Sequence, residues 1–191
     1  MKFRIQTFGP ALAGSILLAG AASAQCDTTQ LEELAFVNGS WNAYAWDGSF
    51  SGQRYFVLDA DGCGAVELAV NGEMFTPHRN LGLNSQEGLW IERDIMDDAS
   101  VEMSGPLGAD GVLAMEGLLT EADGREMPVR SRWAARDDGT MIHKQEIRYG
   151  SDRPWSILRA YTYVRPANDP NGAEPGMNAM GPELGEDAFG D

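Results

Sequence analysis

Apolar and polar residues alternate with a period of two along most of this chain, in short runs ended by turn dipeptides. Val66, Leu68 and Val70 alternate with Glu67 and Ala69 ahead of Asn71 and Gly72. Leu89, Ile91 and Ile95 alternate with Glu92 and Asp94. Further runs cover Trp41 to Trp46, Arg54 to Asp59, Val101 to Met103, Val112 to Leu119, Met127 to Trp133, Met141 to Tyr149 and Trp155 to Val164. Asp-Gly pairs at 61–62, 110–111, 123–124 and 138–139 separate several of them. Only Leu31 to Phe36, with Leu31, Leu34 and Ala35 apolar, fits a short helical turn. About nine or ten strands joined by tight turns predict an all-β antiparallel meander. Closure into an up-and-down barrel removes its exposed edges.

The ends of the chain differ from this middle. Lys2 and Arg4 precede an apolar run from Phe8 to Gly20, and Ala22, Ser23 and Ala24 follow. That order predicts a cleaved export signal over residues 1–24 and a periplasmic or extracellular protein. The apolar run is shorter than the roughly 20 residues of a membrane span. No second such run follows, so no integral membrane span is expected. Residues 25–166 form the expected barrel domain. Residues 167–191 are rich in Gly and Pro, with acids and no Lys or Arg. This composition predicts a disordered acidic tail.

Charge narrows the partners. Removing Lys2 and Arg4 leaves 12 of the 14 basic residues against 29 acids. A strongly negative domain repels nucleic acid and anionic membrane. Two cysteines are present, Cys26 and Cys63. In an oxidising compartment they are expected to pair, and closing that loop is worth roughly 4 kcal/mol in the chain-entropy view. The other role open to Cys26 is lipid anchoring, although Gln25 is not the small residue that normally precedes such a cysteine.

Three stretches carry a family resemblance. Residues Leu31 to Trp41 (LEELAFVNGSW), Leu81 to Trp90 (LGLNSQEGLW), and Gly124 to Arg130 continuing through Tyr161 to Arg165 resemble a family of bacterial secreted lipocalin-like proteins. The resemblance spans about Leu31 to Arg165 and implies a lipocalin-like barrel with a short N-terminal helix. It brings no catalytic residues. It implies that Trp41 closes the barrel floor and that a late-strand arginine, Arg159 or Arg165, stacks on it.

Candidate chemistry is sparse. No nucleophile elbow, phosphate loop or metal-ligand spacing occurs, so no catalytic residue, cofactor or metal is assigned. His143 shares a strand face with Met141, Ile147 and Tyr149. A single imidazole points to an ordinary hydrogen bond more than to axial haem ligation. Asp94, Asp97 and Asp98 fit a solvated turn better than a calcium loop. Two function classes follow. In one, the barrel binds a small apolar or amphipathic molecule through Trp90, Trp133, Trp155, Arg159 and Tyr161, with Arg159 paired to an internal acid, the Trp41 face or an anionic head group. In the other, the core is filled and the protein is an interaction or structural module of the cell envelope.

Overall fold

The computed structural model describes residues 35–58, 63–72, 74–84, 86–96 and 98–170. The expected signal segment, Cys26, Asp97 and residues 171–191 lie outside the described residues. So does most of the expected helix at 31–36; the described chain opens on a single 3-10 turn, Ala35–Val37.

Ten strands follow in chain order. They are β1 (Gly39–Ala45), β2 (Phe50–Leu58), β3 (Gly64–Asn71), β4 (Met74–Asn84), β5 (Leu89–Ile95), β6 (Ala99–Gly105), β7 (Val112–Glu121), β8 (Glu126–Ala135), β9 (Met141–Ile147) and β10 (Ser156–Val164). Each pairs antiparallel with its sequence neighbours, and β1 pairs with β10 to close the barrel. The turn dipeptides do what their chemistry allows. Gly72, Gly111, Gly124 and Gly139 all take positive φ at hairpin tips. Two glycines within strands serve a different need. A Cβ on Gly105 would lie 1.9 Å from the Ala114 carbonyl oxygen, and one on Gly117 would lie 2.0 Å from that of Glu102. Strands β6 and β7 therefore approach more closely than a side chain permits.

One end of the barrel is a closed floor. Trp41 is buried and its indole N–H donates to the Val37 carbonyl at 2.7 Å. The Arg165 guanidinium sits 3.6 Å from the centre of the Trp41 ring. Its nitrogens also donate to the carbonyls of Phe36 and Asn38. Of the two arginines expected over Trp41, Arg165 takes the place, and Arg159 lies deeper in the barrel. Phe56, Trp90, Met103, Leu113, Met115 and Met141 complete an apolar core near this end.

Strand β10 does not keep one face throughout. Its register with β9 shifts between Ile157 and Arg159, a bulge that breaks the alternation. Arg159, Tyr161 and Tyr163 face the interior, whereas Ile157 is 51% exposed. Trp155 precedes the strand and stacks outside, between the guanidinium groups of Arg130 and Arg148.

Candidate functional site

The interior holds a layer of charge. Glu67 on β3, Arg79 on β4, and Glu92 and Asp94 on β5 are buried and point inward. Cross-strand register explains the meeting: Glu67 lies opposite Arg79, and Arg79 lies opposite Asp94. Arg79 is fully buried and is the hub. Its Nε is 2.6 Å from Asp94 and 2.9 Å from Glu92, and its Nη1 is 3.0 Å from Glu67. Two more guanidiniums approach from the sides. Arg159 reaches Asp94 at 2.8 Å, and Arg54 reaches Glu67 at 3.4 Å. Three cations thus face three carboxylates. Burying charge is tolerable only when it is paired and hydrogen-bonded in this way.

Strands β8 and β9 supply the polar wall opposite. Gln145 donates to Glu92 at 2.7 Å and to Asp94 at 2.8 Å. The Trp133 indole N–H donates to Glu92 at 2.8 Å, and the Ser131 hydroxyl donates to Glu92 at 2.7 Å. His143 stacks on Trp133 with ring centres 3.9 Å apart. Arginine can only donate, so the 3.0 Å contact from Arg79 Nη1 makes His143 Nδ1 the acceptor. The imidazole proton then sits on Nε2 and points at Ser131 Oγ, 3.0 Å away. Tyr163 donates its hydroxyl to Glu67 at 3.0 Å. Among the described residues, two buried atoms of the layer, Arg79 Nη2 and Gln145 Oε1, make no hydrogen bond.

The electrostatics follow from burial and pairing. Burial, together with the Arg79 charge, pushes the His143 pKa down to about 4, so the ring is neutral near pH 7. Burial alone would raise Glu92, but Arg79, His143 and the Trp133 N–H outweigh it and hold its pKa well below the usual carboxylate range. Burial opposes the Arg79 charge, yet the three carboxylates around it keep its pKa above the usual arginine value. Burial and the nearby Glu67 push the Tyr163 phenol up.

Ser131, His143 and Glu92 are the residue types of a hydrolytic triad, but their protons run the wrong way. The serine donates to the carboxylate and receives from the imidazole, so His143 does not stand as its base. The layer is a plug in which three cations balance three carboxylates.

Beyond the plug, toward the end of the barrel opposite the floor, lies a recess of about 430 Å³. Met96, Ala99, Leu119, Met127, Ile147 and Leu158 give it an apolar lining. Asp98, Glu121, Asp123 and Tyr149 also border it. Glu121 is already paired with Arg125. Met96 connects the recess to the plug, because Arg159 Nη2 lies 3.7 Å from its sulfur.

The residues expected to bind a ligand are thus dispersed. Trp90 and Trp133 are buried core, Tyr161 packs against Tyr163, Trp155 is outside, and Arg159 is paired with Asp94. None of the five lines the recess. Cys63 packs against the core at the entry to β3. Its expected partner, Cys26, lies outside the described residues. No motif marks Glu67 or Gln145 as functional, whereas Arg79 is signalled as a lone Arg in an otherwise uncharged run from Met74 to Asn84. Asp94 faces inward, whereas Asp98 is exposed at the rim, so the two do not share a site. Among the described residues, no group of His, Cys, Asp and Glu is arranged to hold a metal ion, and no helix is long and apolar enough to cross a membrane. No protein-family model matches this chain, and no curated protein matches it significantly.

Proposed function

We propose that this protein is an exported, lipocalin-like binding protein that takes a small amphipathic molecule in the recess beyond the charged plug. The recess carries the proposal. Its volume falls within the range of small-molecule sites, roughly 300–1,000 Å³, and its lining is mostly apolar with a few polar groups. The plug prevents a deep ligand from entering, so the apolar part of the molecule lies against Leu119, Met127 and Ile147. Arg159 is occupied by Asp94, which removes the reason for an anionic head group. The carboxylates of Asp98 and Asp123 favour a cationic or hydrogen-bond-donating head. The lipocalin-like type is supported by the Trp41–Arg165 floor. Its ten strands exceed the eight of most such barrels.

Calorimetry with dodecylammonium and dodecanoate tests this reading. The ammonium amphiphile is expected to bind more tightly, and Ala99→Trp, which fills the recess, is expected to abolish binding. Binding of neither probe, or binding unchanged by that substitution, would sink the proposal. Export and the Cys26–Cys63 bond are part of the same reading. The secreted protein is expected to start at Gln25 and to weigh two hydrogens less than its dithiol form. Two freely alkylated thiols without reductant would remove the disulfide.

A second reading has its own observation. The outer faces of β2 and β4 expose Tyr55, Val57 and Phe75, with Tyr55 and Phe75 in edge contact. Exposed apolar patches of this kind mark interaction surfaces. A filled-core envelope module would use this face and leave the recess empty. In that case Tyr55→Ser with Phe75→Ser would release the protein from envelope fractions, and Ala99→Trp would change nothing.

A further inference from the structure

Strands β2, β3 and β4 contain one charged residue each, Arg54, Glu67 and Arg79. All three turn inward, where Glu67 pairs with both arginines. The outer face of these strands therefore carries no charged side chain. It presents Tyr55 and Val57 on β2, Val66, Leu68 and Val70 on β3, and Phe75 on β4. Other outer faces of the barrel carry paired charges, such as Arg93 with Glu102 and Arg130 with Glu146.

This uncharged face has relief. At one end Tyr55 and Phe75 are exposed, and their rings meet across β3 with centres 6.3 Å apart. At the other end lies a hollow at Gly82, where an added Cβ would meet nothing within 4 Å. Asn80 and Asn84 on the same strand, and Ile91 opposite on β5, border it. Tyr55 lies opposite Leu68, and Gly82 lies opposite Gly64. Knob and hollow are thus four residues of β3 apart, about 13 Å at the usual strand rise. Val66 and Asn80, which lie opposite each other, are midway.

We propose that this face pairs with a second copy of the chain in a two-fold dimer. Half a turn about an axis near Val66 and Asn80 sets the Tyr55–Phe75 knob of each copy over the Gly82 hollow of the other. Such mutual insertion is what a two-fold interface requires. Charge selects the face. The formal net charge of the chain is -15, so two copies repel wherever charged surfaces meet. An uncharged face lets like meet like. Near the axis the Asn80 amide both donates and accepts, so it can pair with its own copy. A lipid surface offers no such partner and would leave the Asn80 and Asn84 amides unsatisfied.

Size sets the strength. The eleven residues of β4 and the width of the four strands β2 to β5 give a face of roughly 35 by 19 Å, on the order of 650 Å². Specific interfaces begin at about 600 Å² per partner. The dimer therefore forms as concentration rises and dissociates on dilution. It stands whether or not the recess takes a ligand.

Sedimentation of the full chain over a concentration series tests the pairing. The natural chain is expected to pass from monomer to dimer. Val66→Lys and Val66→Glu each bring like charges together near the axis, so each alone is expected to stay monomeric. An equimolar mixture of the two is expected to restore the dimer. Gly82→Leu fills the hollow and is expected to weaken the dimer by roughly tenfold or more. Its added side chain meets open space in the monomer, so it decides the matter if circular dichroism shows either Val66 variant unfolded. Ser104→Lys, on the exposed outer side of β6, is expected to leave the dimer unchanged. A natural chain that is monomeric throughout overturns the proposal. So does a dimer that Gly82→Leu leaves intact, or a mixture of folded Val66 variants that stays monomeric. A monomer that floats with phosphatidylcholine vesicles overturns it too and assigns the face to a lipid surface.

Discussion

Two sectors of this barrel use the same alternating pattern in opposite senses. In β6 to β8 the apolar residues Val101, Met103, Leu113, Met115, Leu119, Met127 and Val129 face the core, and charged residues such as Glu102, Glu116 and Arg130 face out. In β3 to β5 Ala65, Leu81, Leu83 and Trp90 still face the core near the floor, but beyond them the sense is reversed. Glu67, Arg79, Glu92 and Asp94 face in, while Val66, Leu68 and Ile91 lie on the partly exposed outer side. The reversal has two consequences at once. It places four charges inside, where only mutual pairing makes burial tolerable, and it leaves an apolar outer surface beside Tyr55 and Phe75. The exposed patch and the buried plug are two faces of the same strands. Period alone fixes that a strand exists; which face is dry depends on what the opposite wall offers. Here β8 and β9 offer Ser131, His143 and Gln145, which meet the carboxylates.

The comparison can be broken most severely at its hub. Arg79→Met is expected to destabilise by about 3–5 kcal/mol, because three buried carboxylates lose their shared cation. Leu113→Ala in the apolar sector is expected to cost about 2–5 kcal/mol through its cavity. Urea unfolding of both variants checks the pair. An Arg79→Met protein as stable as the natural chain would mean that the plug is not held by charge pairing.

Acid sharpens the comparison next. His143 has a folded pKa of about 4 against 6.5 in the unfolded chain. Between these values the unfolded state binds more protons, so its contribution is fully present above pH 6.5 and is lost as pH falls toward 4. The loss amounts to roughly 3 kcal/mol. His78 also has a lowered pKa through burial and adds a smaller slope of the same sign. Glu92 titrates only at lower pH, where acidification removes its pairing as well. Stability measured from pH 7 to 4.5 is expected to fall steeply in the natural protein and less so in His143→Gln. Identical slopes would show that His143 is not the group responsible.

The smallest effect lies on the outer side of the reversed sector. Phe75 is 57% exposed. Phe75→Ser is expected to shift unfolding free energy by no more than about 0.5 kcal/mol, as for most surface substitutions. A loss comparable to that of Leu113→Ala would show that the outer patch is covered by something that stabilises the fold.

Much of the architecture was legible in the residues. The period of two, the turn dipeptides at 71–72, 110–111, 123–124 and 138–139, and the need to close edges led to an antiparallel barrel, and ten strands close one. The pairing of Arg159 with an internal acid was also anticipated, and Asp94 is that acid. The binding residues were less accessible. Trp155 to Tyr163 read as one strict face, but a bulge at Leu158 turns the strand over partway, and no local residue announces it.

Most strands and turns were legible in the residues, because those depend on neighbours within a few positions; no alternating run marked β4, where Pro77, His78 and Arg79 interrupt the apolar pattern. Only the tertiary structure decided which face of each strand became the interior. That choice is made between strands far apart in the chain: Glu92 faces inward because Ser131, Trp133 and Gln145, about 40 to 50 residues away, bring it hydrogen bonds that water would otherwise supply.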